Sequence, residues 1–542
     1  MSSHATDPLE RRLSAAAFVG LALFSVVPLA KLLSHTLEHG LVFTGADGLF
    51  PADQFQYMSW IRQFGDHLLA ANLLDLAPSS HVFLHPQFLL SGLAWRAGVG
   101  IQMAFLLWKP IAVMALFFGF RSYVARFLPG TGQRVAAFVA AMFFASPIAA
   151  LVSWASIGSA HFQYQISNLS GELFAAGATW GYLPTAIALG LMPLFALGVE
   201  RLWRVPEGRP PPRTLRLILL VSGCGAAVSW LHPWQGEVLL LTVLAVAAFD
   251  RAVLRQVRFI APLVALLAPL VYYFVLSHAD AAWSFAAHEN ALGGHVPWWA
   301  VTAGVVPLAL PACFGLRAVD RSPGELMLRA WPLAALVVYL VLSPSFPQHA
   351  FEGVSLPLAV LAVRGLGRMR LAAPTIALFA VVVTVPGAAR TIQTIYRALG
   401  GEASGYYLRS DETRALDYLA SLHAPGGVLS TYDLAPFVPA ATGRPTWVGH
   451  PSWTRHFPER VRASELLFAG DLRRERAIAF IRSTHARFIL VGCGHPAAPF
   501  ARLAPAVSRT RTFGCASVYE VAPTSAAGPA GGPAAPRTLA RL

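Results

Sequence analysis

The chain has 542 residues, of which 56% are hydrophobic and only 13% charged, too apolar for a soluble protein and rich in runs long enough to cross a bilayer. Its formal net charge of +14 comes almost wholly from arginine, Lys31 and Lys109 being the only lysines, and the arginines cluster at the ends of hydrophobic runs. That pattern sets topology and excludes nucleic acid as the natural partner, leaving a polytopic α-helical membrane protein.

Arg11 and Arg12 precede a first span from about Leu13 to Leu33, which lacks a small-residue cleavage signature and is expected to be a retained anchor with a cytoplasmic N-terminus. Arginine clusters follow at Arg121, Arg126 and Arg134, at Arg201 to Arg216 including Arg204, Arg209 and Arg213, and at Arg251, Arg255 and Arg258. Two more lie at Arg317, Arg321 and Arg329 and at Arg364, Arg368 and Arg370. With all of them cytoplasmic, spans fall near 101–123, 135–155, 182–203, 215–231, 234–249, 259–277, 296–316, 327–343, 351–363 and 371–389, about eleven with the first. An odd count places the rest of the chain outside. The scheme requires that 82–97, opened by His85-Pro86 and interrupted by Arg96, lies at the interface or re-enters.

The loop after the first span, Gly45 to Tyr57, puts Asp47 and Asp53 just outside a membrane helix, where carboxylates are costly to desolvate and often mark chemistry. Apart from His4, the histidines fall on the expected outer side, among them His85, His161, His232 and His349, as do Asp75, Glu172, Glu237 and Glu352. Groups suited to acid-base work are therefore concentrated there, although longer outer loops collect polar residues by length alone. The turns Trp230-Leu231-His232-Pro233-Trp234-Gln235-Gly236-Glu237 and Ser343 to Gly353 join hydrophobic runs that barely span, so both are expected to lie below the surface and line a cavity.

Composition changes again near Arg390. We expect a transmembrane domain over 1–389 with a large first outer loop at 34–100, an extracytoplasmic α/β domain over 390–522 and a disordered tail over 523–542. In the α/β domain the pattern predicts helices at 414–422 and 474–483 and strands at 427–431, 487–491 and 517–521. Cys493 and Cys515 fall near strand ends and are read either as a disulfide or as buried thiols.

No phosphate-cradling loop is present, so no nucleotide is expected. No Cys-x-x-Cys pattern specifies zinc, no metal ligand is assigned, and a divalent metal is left open. No Gly-x-Ser-x-Gly elbow indicates a serine hydrolase.

The run Asp53-Gln54-Phe55-Gln56-Tyr57 through Arg62, followed by His85-Pro86, resembles the first outer loop of the GT-C superfamily of membrane glycosyltransferases. Phe346-Pro347-Gln348-His349-Ala350-Phe351-Glu352-Gly353, and Ala441-Thr442-Gly443-Arg444 with Gly449-His450 in the outer domain, are similar to bacterial relatives of that superfamily. The resemblance implies a sugar carried on polyprenyl phosphate and transferred, outside the cytoplasmic membrane, to a hydroxyl of a lipid, glycan or protein. It implies a first-loop acid as general base, best matched by Asp53 with Asp47 in reserve. Tyr57, Arg62, His85, His232, Glu237, His349 and Glu352 then become candidate substrate-binding residues, with His349 or His232 assigned to the leaving phosphate ahead of Arg62. Where the family pattern more often has Arg, this chain has Gln348-His349-Ala350, which makes phosphate binding there weaker or dependent on pH. Glu352 is read either as orienting His349 or as capping the next helix. A transporter or flippase of lipid-linked sugars, or a non-catalytic glycan-binding membrane protein, are the alternatives, and the former lacks an internal repeat here.

Overall fold

A computed structural model describes residues 8–205, 212–249, 256–316, 320–343, 345–399, 405–495, 500, 502–504 and 506–522. His4, Arg209, Arg251, Arg255, Arg317 and the tail over 523–542 lie outside the described residues. Eight helices there are long and apolar enough to cross a membrane: Pro8–His39, Ile101–Phe127, Leu183–Trp203, Pro212–Leu231, Arg258–Ala279, Trp298–Gly315, Pro323–Leu342 and Ala373–Ala398. This is a multi-pass membrane protein.

The eleven segments expected to cross all fall on helices, but three do not meet that standard singly. The pair Thr131–Phe143 and Pro147–Trp154 is bent by 50°. The bend has a local cause, since Pro147 has no N–H to continue the ladder and the Ser146 hydroxyl accepts the N–H of Ala149 to start a new helix. Pro233–Ala247 and Ser355–Arg368 have 15 and 14 residues, about 21–23 Å at the helical rise and short of the ~30 Å hydrocarbon core. The helix within 82–97, Pro86–Arg96, is shorter still at 11 residues.

Contacts divide the chain into two compact units. The first comprises 1–28, 107–275 and 288–397, and the second 29–106, 276–287 and 398–542. In the first, the helices Trp108–Phe127 and Leu183–Trp203 touch backbone to backbone at Gly119 and Gly190; a Cβ on Gly119 would lie 2.0 Å from the Gly190 carbonyl oxygen. Without a hydrophobic drive between helices in lipid, such small-residue contacts supply the packing. The acids near the arginine clusters are consumed by them. Glu200 pairs with Arg126 and Arg204 at 2.6 Å, Glu325 with Arg364 at 2.8 Å and Arg329 at 3.3 Å, and Glu10 with Arg134 at 3.0 Å.

In the second unit, β1 (Val42–Phe43) pairs antiparallel with β2 (Tyr407–Leu408), so the first loop is knitted to the chain after the last long helix. A four-stranded sheet follows in the order β3 (Val428–Leu429), β4 (Phe488–Val491), β6 (Ala516–Val521), β5 (Val507–Phe513). β3 and β4 are parallel, and β6 runs antiparallel to β4 and β5. Leu429, Ile489, Val491, Phe468 and Ile481 form a core with no exposure. The predicted strands and helices all appear, the first helix starting earlier, at Ser410. The strand β5 and the helix Phe457–Ala469 were not anticipated. β5 reads Val-Ser-Arg-Thr-Arg-Thr-Phe, an edge strand whose arginines hide the apolar alternation that marks buried strands. Cys493 and Cys515 are disulfide-bonded.

Candidate active site

Asp53 lies in the first turn of the helix Pro51–Asp66, where free backbone N–H groups favour a carboxylate. The helix starts abruptly because Phe50 adopts the left-handed region at φ 54° and Pro51 presets the first helical residue. His450 Nε2 is 2.7 Å from Asp53 Oδ1, the imidazole being almost buried and the carboxylate 31% exposed. The Ser452 backbone N–H donates to His450 Nδ1 at 3.1 Å. An accepting Nδ1 leaves the neutral ring its proton on Nε2, directed at Asp53. The loop carrying His450 is fixed in turn by Thr454, whose hydroxyl accepts the N–H groups of Gly449 and His450 and donates to the Leu74 carbonyl. Burial, then the Asp53 charge, push the Tyr432 hydroxyl up to about 12. The result is one accessible carboxylate, oriented by a neutral histidine, beside a phenol that keeps its proton.

The other first-loop candidates are placed differently. Asp47 has no exposure, and its N–H donates to Gln54 Oε1 at 2.6 Å within a closed turn whose Gly48 carbonyl accepts the Tyr406 hydroxyl. Tyr57 stacks on Phe88 with ring centroids 5.1 Å apart. Arg62 donates to the carbonyls of Ala440 and Ala441 and sits 5.0 Å above the Trp95 ring, serving the end of the helix Val438–Thr442. Burial lowers its pKa against the pull of Asp66. His85 is buried against Phe88 at 4.0 Å, and burial drives its pKa down to about 3, so it is neutral.

The first unit holds a second polar cluster, where the two turns singled out in the sequence meet. Trp234 Nε1 donates to the Ser345 carbonyl at 2.8 Å and Gln235 Nε2 to the His349 carbonyl at 2.6 Å. His349 Nδ1 lies 2.9 Å from Glu172 Oε2 and 3.2 Å from Glu352 Oε1, and His232 Nε2 lies 3.1 Å from Glu352 Oε2. Gly353, at φ 79°, makes the reversal after Glu352, and a side chain there would be strained. Burial opposes charge on His349, but Glu172 and Glu352 outweigh it and hold the imidazole protonated well above its ordinary range. Burial likewise opposes the Glu172 charge, and His349 overcomes it and lowers the pKa. Glu352 faces both histidines, and no bond to the next helix is seen for it among the described residues. Glu237 stands apart, its Oε2 buried without a hydrogen-bond partner among the described residues.

One ligand atom each from His232, His349 and Glu352 lie within 4.8 Å of one another, the spacing of a metal site. Asp411, Cys493 and Cys515 are as close, but the sulfurs are bonded to each other. Sequence reasoning did not assign His450, Tyr432 or Glu172 to a site. Gly449-His450-Pro451 was the visible signal for the first; the other two follow no motif and are recruited only by folding.

No family model matches the chain, and no curated protein matches it. Among solved structures it resembles an archaeal oligosaccharyltransferase, AglB from Archaeoglobus fulgidus in complex with an inhibitory peptide and a dolichol-phosphate. The TM-score is 0.53 at 12% identity, covering 92% of this chain and 71% of that one. It also resembles the Archaeoglobus fulgidus oligosaccharyltransferase in the apo form, with a TM-score of 0.50 at 12% identity over 91% of this chain and 71% of that one.

Proposed function

From the fold of the GT-C membrane glycosyltransferases, which this chain shares, we propose that it moves a sugar from a polyprenyl-phosphate donor to a hydroxyl acceptor at the outer face of the cytoplasmic membrane. The observation that carries the reading is the Asp53–His450 pair: a partly exposed carboxylate held at 2.7 Å by a buried imidazole, in the segment that follows the first span. The AglB structure contains a dolichol-phosphate, and the same donor chemistry suits a chain without a nucleotide loop.

In this mechanism Asp53 accepts the proton of the acceptor hydroxyl as its oxygen bonds to the anomeric carbon. The bond from that carbon to the phosphate oxygen breaks, and the phosphate leaves with the electron pair. A single displacement of this kind inverts the anomeric centre. The lipid phosphate needs no proton to depart, so one base suffices. The Nε2–H of His450 keeps one oxygen of Asp53 fixed and so orients the carboxylate. Asp47, fully buried, is left a structural part in the turn before the helix.

The test is transfer of radiolabelled sugar from a panel of polyprenyl-phosphate donors to membrane glycans, comparing equally expressed wild type and Asp53→Asn. Loss of transfer in the variant alone supports the reading. Equal transfer in both removes Asp53 from the chemistry.

A further inference from the structure

Phosphate and carboxylates repel, yet the cluster assigned to the phosphate contains Glu172 and Glu352 around a single protonatable bridge. We propose that His232, His349 and Glu352 form the binding site of one divalent cation of borderline softness, Mn²⁺ or Zn²⁺. The assignment does not rest on the glycosyltransferase reading, since it concerns only what these three side chains hold.

Geometry and unmet bonding carry the assignment. The three ligand atoms converge within 4.8 Å, close enough for one ion with bonds of about 2.0–2.2 Å after small side-chain movements. Glu352 and His232 are 8% and 7% exposed, and Glu352 Oε2 has no hydrogen-bond partner among the described residues. Glu352 Oε2 lies 3.1 Å from His232 Nε2, the separation of two atoms that share one ion, and makes no hydrogen bond there. Glu172 stands outside the trio and accepts from His349 Nδ1 at 2.9 Å, the outer carboxylate that commonly fixes the ring of a metal-bound histidine. The Gln235 amide fixes the His349 backbone from the other turn.

The donor set selects the ion. Two imidazoles with one carboxylate suit Zn²⁺ or Mn²⁺, whereas Mg²⁺ and Ca²⁺ call for a shell made mostly of oxygen. A bound cation also turns a carboxylate-lined cluster into one that attracts an anion.

The experiment takes the full chain in detergent, strips it with chelator, equilibrates it with Mn²⁺, Zn²⁺ or Mg²⁺ in turn, and measures bound metal by mass spectrometry and Tm by thermal unfolding. The expected result is close to one equivalent of Mn²⁺ or Zn²⁺, a Tm raised by several degrees, and at least tenfold weaker binding in His232→Gln and in Glu352→Gln, with Asp53→Asn binding as wild type. Mn²⁺ bound to wild-type protein should also show imidazole nitrogen couplings by pulsed electron paramagnetic resonance, a readout that does not depend on the variants folding. Substoichiometric metal in wild type, undiminished binding in both cluster variants, or no nitrogen coupling overturns the site. Metal bound here without transfer from any polyprenyl phosphate would sink the functional reading and leave the site standing; transfer without metal would do the reverse.

Discussion

Asp53 and His450, separated by 397 positions in sequence, are joined at 2.7 Å, and the backbone N–H of Ser452 decides which nitrogen of the histidine makes the bond. Folding therefore supplies Asp53 with a donor that fixes one of its carboxylate oxygens. Asp53→Asn should lower transfer by about 100-fold or more, the usual weight of a positioned general base, with Tm close to wild type. His450→Gln should cost less, since it frees the carboxylate without removing it. A His450→Gln variant as inactive as Asp53→Asn would mean that the histidine itself handles the proton.

With no metal bound, the pair of His349 and Glu172 ties stability to pH in a defined window. The folded pKa of His349 is raised, so its contribution is fully present below its unfolded value near 6.5 and is lost as pH rises through the higher folded value. That of Glu172 is lowered, so its contribution is present above about 4.5 and is lost as pH falls through the folded value. Glu172→Gln should therefore be less stable than wild type by roughly 3–5 kcal/mol between those limits, with the gap closing on either side. Thermal unfolding across a pH series measures it, and a constant gap would show that the two residues do not titrate as a pair.

His85 works in the opposite sense. Its folded pKa of about 3 lies below the unfolded value, so the unfolded chain takes up a proton that the folded one refuses as pH falls from about 6.5. His85→Phe, which can keep the stack on Phe88, should unfold at a less acidic-sensitive Tm than wild type between pH 6 and 4 (a range set by about 6.5 and about 3 above). Parallel Tm curves for the two proteins would count against this account.

Arg444 binds no substrate in this scheme. Its guanidinium donates to the carbonyls of Leu419, Leu422, Ala424 and Gly426, gathering the chain that leads into β3. Arg444→Met leaves four acceptors in search of donors and should destabilise the second unit by a few kcal/mol, at about 1–3 kcal/mol for each acceptor left buried. Limited proteolysis around 419–426 reads this directly; unchanged protease resistance would place the arginine in another role.

Why some of this was legible and some was not follows from the range of the forces involved. The spans could be read because lipid imposes a length and apolarity on each segment separately, and the arginines mark helix ends one by one. Asp53 could be singled out because a carboxylate just outside the first span is costly to desolvate, and His349 because its turn joins hydrophobic runs that barely span. Glu172 could not, since nothing near it in sequence distinguishes it from a solvated helix-end acid. β5 was missed for a related reason: its stability comes from pairing with β6 rather than from its own apolar residues.

β1 and β2 bear on how the protein is made. Strand Val42–Phe43 finds its partner only at Tyr407–Leu408, so the early segment leaves the translocation machinery long before the chain it must pair with. At about 5–20 residues per second for synthesis, the roughly 300 residues separating the early and late parts of the second unit impose a wait of roughly 15–60 seconds. During that time the helix bearing Asp53 has no sheet domain to fold against. A truncation that ends before residue 407 should leave residues 40–106 open to proteases and quality control while its membrane helices insert normally.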